Sequence, residues 1–231
     1  MNYAIIAAGE GSRLAQEGIT TPKPLIRIND VPMIERLVRI FARNGAGSIY
    51  IIINCQQPET HEFLKKLQKE YPLEIILQDT PSSMHSLHAL SPYLKGEKFC
   101  LTTVDTLFDE KEFKEYIRCF EQCKDSGLMA VTEYIDDEKP LYIECDKELG
   151  ITAFLDKPGR EVKYISGGIY GLPPYALEVL DKCIAEGQER MRNFQRRLVE
   201  EGIGLKAYPF GKIIDIDHAE DIVKANNLLA E

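Results

Sequence analysis

The sequence predicts an α/β fold: a three-layer α/β/α sandwich around a mostly parallel, mixed central sheet. Three observations predict it. Through the first half, apolar β-rich runs alternate with stretches whose apolar residues recur at helical spacing. Such a βαβα rhythm needs crossover helices packed on both faces of a parallel sheet. The run Ser48–Ile53 is nearly all apolar, as a strand covered on both faces must be. In the second half the strands shorten and turn residues separate them, which reads as an antiparallel or mixed addition to the sheet.

The elements follow in order. The first strand is expected over residues 3–7. Met33, Ile34, Leu37, Ile40 and Phe41 then mark a helix that Asn44-Gly45 stops. Strands at 48–53, 73–77 and 99–103 alternate with helices at 58–71, 82–94 and 110–123. Short strands are expected at 128–134, 141–145, 151–155 and 164–171, with turns at 146–150 and Pro158-Gly159. Helices at 174–186 and about 188–201, strands at 205–209 and 212–216, and a helix from Ala219 to the end complete the chain. No repeat, low-complexity tract or long linker interrupts this pattern, so residues 1–231 read as one domain.

A chain of 231 residues can bury a sizeable core. It contains no run of 18 apolar residues and so no expected membrane span. The first residues enter a core strand without a basic region or cleavage site, so no signal peptide is expected and the cytoplasm is the expected compartment. A net charge of −9 argues against nucleic acid or an anionic membrane as partner, because both need a broad positive surface. The six cysteines show no CxxC spacing and read as reduced thiols. Oligomeric state is not legible.

The chemistry begins where the first strand ends. Ala7-Ala8-Gly9-Glu10-Gly11-Ser12-Arg13-Leu14 is a glycine-rich exit loop, and Pro22-Lys23-Pro24-Leu25 follows. Such a loop exposes backbone N–H groups to a phosphate chain, and residues without bulk let the phosphate approach. Arg13 and Lys23 supply positive charge. Ala8, Gly9, Gly11, Ser12, Arg13 and Lys23 therefore form a candidate nucleoside triphosphate site. It lies in a nucleotide-binding half, about 1–125, with an acceptor-binding half at about 126–231. Ligands of open α/β sheets bind at the carboxyl ends of parallel strands, and Asp105 directly follows the strand 99–103. A carboxylate beside a triphosphate implies a cation between them, naturally Mg²⁺. Near the other end, alternation puts Asp215 and Asp217 on one face of a strand. Asp217 reads either as a metal ligand or as the N-cap of the last helix, with Glu220 completing a capping box. His85 and His88 lack further ligands nearby and read as a base contact or a half-buried helix face. Arg196-Arg197 reads as a solvated helix face.

Two other nucleotide motifs fail. A dinucleotide fingerprint needs glycine where Leu14 stands and an acidic residue where the second strand runs into Ile53-Asn54-Cys55. No Gly-Lys-Ser/Thr of a P-loop occurs.

The N-terminal motif and Pro22-Lys23-Pro24-Leu25 resemble the signature of the sugar-phosphate nucleotidyltransferases, whose fold is glycosyltransferase-A-like, that of nucleotide-diphospho-sugar transferases. Other pieces occur in the family's order, and the resemblance covers essentially the whole chain. Asp105 stands where the family has its metal aspartate. Phe154-Leu155-Asp156-Lys157-Pro158 is similar to its Glu-Lys-Pro segment, which implies that Lys157 contacts the sugar phosphate. Ser166-Gly167-Gly168-Ile169-Tyr170 is similar to its sugar-lining segment, which implies a substrate contact at Gly168. Ile216-Asp217-His218-Ala219-Glu220-Asp221 is similar to its ending, which implies that Asp217 is the second metal ligand. The stretch 79–86, with Ser83, holds the place of the base contact. Departures are Val104 before the metal aspartate, Ser166 in place of Asn, and no Gly-Thr form at the base contact, so nucleobase and acceptor stay open.

The resemblance implies transfer of a nucleoside monophosphate from an NTP to a sugar 1-phosphate or similar phosphate ester, with Arg13, Lys23 and Asp105 catalytic and Mg²⁺ as cofactor. A phosphocholine-type cytidylyltransferase is one alternative. A glycosyltransferase consuming a nucleotide sugar is another, against which Asp105-Thr106-Leu107 lacks the usual Asp-x-Asp. A catalytically inactive, ligand-sensing homologue is the third.

Overall fold

The computed structural model describes residues 1–124, 126–136, 138–159 and 162–229. The first half contains β1 (Asn2–Ile6), α1 (Ser12–Gln16), a 3-10 turn (Lys23–Leu25), β2 (Arg27–Ile28), β3 (Val31–Pro32), α2 (Met33–Arg43), β4 (Ser48–Ile53), α3 (Pro58–Leu67), β5 (Leu73–Leu77), α4 (Ser83–Leu94), β6 (Phe99–Thr103), β7 (Thr106–Leu107) and α5 (Glu110–Gln122). The second half contains β8 (Gly127–Thr132), β9 (Tyr142–Cys145), β10 (Ile151–Leu155), β11 (Tyr164–Leu172), α6 (Ala176–Ala185), α7 (Met191–Glu200), β12 (Leu205–Phe210), β13 (Ile214–Asp215) and α8 (Ala219–Leu228).

Both halves build one sheet, which has nine strands among the described residues. Its path is β10-β9-β11-β6-β1-β4-β5, and β8 joins β11 to β12. β5, β4, β1 and β6 are parallel, whereas β11 runs antiparallel to β6, β8 and β9. The chain adds β4 and β5 on one side of β1 and then returns to place β6 on the other. The order therefore reverses at β1, and a crevice opens at the carboxyl ends of β1 and β6.

Alternation along β1 divides the core in two. Tyr3, Ile5 and Ala7 face a cluster made with α2, α3, α5 and α8. Ala4 and Ile6 face a second cluster made with α4, α6 and α7. These are the expected three layers. α2 illustrates why its sequence is helical: Ile34, Leu37, Val38 and Phe41 fall on one face and are all buried, each contributing about 1.5–3 kcal/mol of transfer free energy. Aromatic rings extend this core toward the crevice. Tyr3 stacks on Phe41 at 4.5 Å, Phe41 on Phe113 at 5.5 Å, and Phe113 on Phe108 at 4.9 Å. Phe108 lies three residues past Asp105, so the acidic turn is anchored to the rigid core.

Several boundaries differ from expectation. The helix expected from 188 begins at Met191, because Arg190 is extended. The 58–71 helix stops at Leu67, since residues 68–71 close as turns. The strand expected over 212–216 shortens to β13 and leaves the main sheet to pair with β7. The β2–β3 hairpin was not anticipated, and its turn puts Asn29 and Asp30 at positive φ. Helix α8 ends at Leu228, and Ala230 and Glu231 lie outside the described residues. Among the described residues no helix is long and apolar enough to cross a membrane, and all six cysteines are unpaired.

Candidate active site

The crevice at the ends of β1 and β6 is a cleft of about 840 Å³. Ala8, Gly9, Gly11, Ser12, Arg13 and Lys23 all line it, together with Ser83, Asp105 and Asp217.

The loop after β1 is shaped by side chains from the end of β4 and the start of α3. Asn54 Nδ2 donates to the Ala8 carbonyl at 3.0 Å, and Gln57 Nε2 donates to the Gly9 carbonyl at 3.1 Å. Both side chains are buried. In a trans peptide N–H and C=O point in opposite directions, so the N–H groups of Gly9 and Glu10 point away from these two amides. Gly11 sits at φ 64°, where glycine avoids the left-handed penalty. A Cβ there would press on Lys23 Cβ at 3.2 Å. Asn54 and Gln57 were not anticipated as part of the site. The visible signal was an Asn and a Gln at the exit of the second strand, where a dinucleotide fold has an acid.

Lys23 is held on a 3-10 turn between two prolines and is buried. Its Nζ donates to Asp105 Oδ2 at 2.5 Å and to Asp217 Oδ1 at 2.7 Å. Arg13 donates to the other Asp217 oxygen at 2.6 Å. Burial alone would lower the Lys23 pKa, but Asp105 and Asp217 outweigh it and raise the value. Burial alone would raise the Asp105 pKa, but the Lys23 ammonium outweighs it, and a hydrogen bond from Thr103 adds to the lowering.

Local pairing brings the distant carboxylates together. β7 and β13 align Thr106 with Asp215 and Leu107 with Ile214. The Ile216 N–H donates to the Asp105 carbonyl at 3.1 Å. Asp215 and Asp217 were expected on one strand face, but the strand ends at Asp215. Helix α8 is not capped by Asp217 and Glu220. Its N-cap is His218, and Asp221 Oδ2 accepts the N–H groups of Asp217 and His218 at 3.1 and 2.8 Å. The Asp217 carboxylate is thereby left to Lys23 and Arg13.

A divalent cation fits this donor set. Two carboxylates already converge on one cationic atom, the Lys23 ammonium. Among the described residues no cluster of three or more His, Cys, Asp or Glu groups is placed to hold a metal. A cation held there would take two carboxylates from the protein, and phosphate oxygens and water would have to complete its shell, a set that Mg²⁺ accepts.

On the expected acceptor side a cavity of about 470 Å³ runs from Asp105 and Ser83 past Gly168 and Tyr170. Gly168 has φ 72° and no room for a Cβ, which would stand 2.9 Å from Thr106 Oγ1. Ser166 donates to the buried Gln195 at 3.2 Å. Lys157 is exposed and lines neither this cavity nor the cleft, although its neighbours Asp156 and Pro158 line a third cavity nearby. His85 lies against Ser82 at 2.9 Å and His88 against Asp181 at 3.3 Å, so the two histidines serve separate contacts.

The sequence profile of the family described as "Nucleotidyl transferase" matches residues 3–231. The chain belongs to the nucleotidyl transferase family. This nucleotidyl transferase is 26% identical over 239 residues to the bifunctional protein GlmU of Methanococcus maripaludis, a match covering 98% of this chain and 54% of that protein. It thus spans about half the length of that curated relative. The inositol-1-phosphate CTP transferase from T. maritima superposes with a TM-score of 0.83 at 17% identity, covering 99% of this chain and 94% of the other. A UDP-glucose pyrophosphorylase complexed with UDP-glucose gives a TM-score of 0.81 at 19% identity, covering 100% and 98%. These structures share the α/β fold of this transferase.

Proposed function

We propose that this nucleotidyl transferase moves the nucleoside monophosphate of an NTP onto a sugar 1-phosphate or similar small phosphate ester, forming an NDP-sugar and releasing pyrophosphate. The observation that carries the reading is the meeting of Arg13, Lys23, Asp105 and Asp217, from three separate stretches of sequence, beside a glycine-rich loop. The superposing inositol-1-phosphate CTP transferase and UDP-glucose pyrophosphorylase agree with it. The six unpaired cysteines suit a reducing compartment, and we place the reaction in the cytoplasm.

An oxygen of the acceptor phosphate attacks the α-phosphorus. The new P–O bond forms as the α–β anhydride breaks, and pyrophosphate leaves with the electron pair. Both reactants are anions, so repulsion and alignment are the barriers to be lowered. No general base is needed, because a phosphate monoester is largely ionised near neutral pH, its second pKa being about 6. The N–H groups of Gly9 and Glu10, with Arg13, bind the β- and γ-phosphates and stabilise the departing pyrophosphate. Lys23 turns from the two aspartates to the α-phosphate as it binds. Asp105 and Asp217 would hold Mg²⁺, which supplies charge neutralisation at the α-phosphate. Ser83 would contact the base and Gly168 the acceptor, and Lys157, which lines neither cavity here, would reach the acceptor phosphate from outside them.

Pyrophosphate release from a panel of NTPs and sugar 1-phosphates tests the reading. The expected result is release that requires one NTP, a phosphorylated acceptor and a divalent cation together. Cleavage of a nucleotide sugar in place of pyrophosphate release would favour the glycosyltransferase alternative and overturn the proposal.

A further inference from the structure

Beyond the acceptor cavity, where Lys139, Arg190 and Arg192 are balanced by Asp105, Glu189 and Asp215, lies a second cavity whose cations the transfer step does not use. A cavity of about 620 Å³ adjoins the acceptor cavity and shares Lys139, Arg190 and Arg192 with it. With Arg196, four cations line this outer cavity against two carboxylates, Glu138 and Asp156, among the described residues. The surplus stands out in a chain of net charge −9.

These arginines are not merely a solvated helix face. Arg192 and Arg196 share Asp156 Oδ1 at 2.6 and 2.7 Å. Arg192 also donates to the Lys139 carbonyl at 3.0 Å, and Arg196 to the Phe154 carbonyl at 3.1 Å. Both guanidinium groups are about three-quarters covered, with 27% and 28% of their side chains exposed. The Arg190 side chain makes no ion pair or hydrogen bond among the described residues, and it stands where the two cavities meet. One guanidinium is thus unspent beside another already fixed in position. Such a pair suits a planar or tetrahedral anion, because guanidinium forks bind such groups bidentately.

The reacting phosphate does not fill this site. It must lie against Asp105 and Lys23, and neither residue lines the outer cavity. None of Lys139, Arg190 and Arg192 lines the nucleotide cleft. Resting on the transfer reading above, we propose that the acceptor is doubly anionic. Besides the phosphate that reacts, it carries a second carboxylate or phosphate at its remote end, held by Arg190 with Arg192 and Lys139.

The test compares three ligands with the same ring and the same 1-phosphate: glucose 1-phosphate, glucuronic acid 1-phosphate and glucose 1,6-bisphosphate. Their affinities for the whole protein are measured by calorimetry, with wild type and Arg190→Ala, and each NTP is titrated in parallel. At least one of the two doubly anionic ligands is expected to bind tighter than glucose 1-phosphate by about tenfold or more, the scale of an added charge-assisted hydrogen-bond pair. Arg190→Ala is expected to abolish that preference. A glucuronate preference identifies a carboxylate, and a bisphosphate preference a phosphate. Equal binding of all three, or no binding of any, overturns the inference. So does an Arg190→Ala variant that weakens all three alike, because the arginine would then hold the shared 1-phosphate. An NTP that binds while the ligands show no preference leaves the transfer reading intact. A ligand preference with no NTP binding keeps the anion site and removes the transfer reading.

Discussion

Replacing Asp105 with Asn keeps the side chain's shape and removes one charge from the Lys23 pair. The Lys23 side chain is 9% exposed, and its ammonium lies 2.5 Å from Asp105 and 2.7 Å from Asp217, whose side chains are 22% and 39% exposed. At an effective dielectric of about 20, two unit charges about 3 Å apart attract by roughly 5 kcal/mol, and desolvation of the ammonium cancels much of that. Stranding a fully buried charge costs about 3–5 kcal/mol. Lys23 would keep Asp217, and the site is partly open to water, so the loss should be smaller, about 1–3 kcal/mol. For a domain of this size each kcal/mol moves Tm by about 2–4 °C. Turnover is expected to fall by on the order of 10²-fold or more, because in the proposed reaction Asp105 would also serve the reacting phosphates. Urea unfolding gives the first quantity, and pyrophosphate release from the folded variant gives the second. A folded Asp105→Asn protein with near-normal turnover refutes the catalytic assignment. A large loss of turnover with unchanged stability refutes the buried pairing with Lys23.

Three further outcomes are expected. Lys23→Met should increase Mn²⁺ affinity in the absence of nucleotide by about tenfold or more, because two neighbouring carboxylates lose their internal cation; spin-resonance titration measures this, and unchanged affinity contradicts the shared donor set. Asn54→Ala, which frees the Ala8 carbonyl, should weaken triphosphate binding by about tenfold through a misaligned loop, read by calorimetry against a near-wild-type fold in circular dichroism. The third concerns pH. His218 lies 2.6 Å from Glu17, and its pKa is raised by that hydrogen bond, by the Glu17 charge and by nearby Glu138 and Asp221. A raised histidine contributes stability that is complete below its unfolded value of 6.5 and is lost as pH rises through the folded value. Glu17 is lowered by its hydrogen bond to His218, so its contribution is complete above 4.5 and is lost as pH falls. The contact between α1 and α8 should therefore be strongest between these values. His218→Gln should flatten the fall in urea midpoint from pH 6 to 9, and an unchanged slope would exclude the contact as its source.

The layers and the glycine-rich loop were legible because they rest on local signals. Alternation along Tyr3–Ala7 and helical spacing in Met33–Phe41 each report a face that must be buried. The meeting of Asp105 with Asp217 was legible only through order and resemblance. The pairing that achieves it, β7 with β13, involves two residues on each strand, too few for periodicity to register. The capping of α8 was misplaced by one residue because Asp217 and His218 both precede the helix, and Asp221 rather than Glu220 turns back to their N–H groups. Asn54 and Gln57 escaped notice since their partners are backbone carbonyls more than 40 residues away. Arg196 was expected on a solvated face, yet it is pinned to Asp156 and the Phe154 carbonyl. Charge alone does not say which way an arginine turns.

The most direct measurement follows phosphorus labels through one turnover. Each NTP labelled at the α or the γ position is incubated with Mg²⁺ and phosphorylated acceptors. The α label should appear in a diphosphate-linked product joining nucleoside and acceptor, and the γ label in pyrophosphate alone. A γ label on the acceptor or in orthophosphate, or an α label that never leaves the triphosphate, would contradict the assignment of this cleft to nucleotidyl transfer.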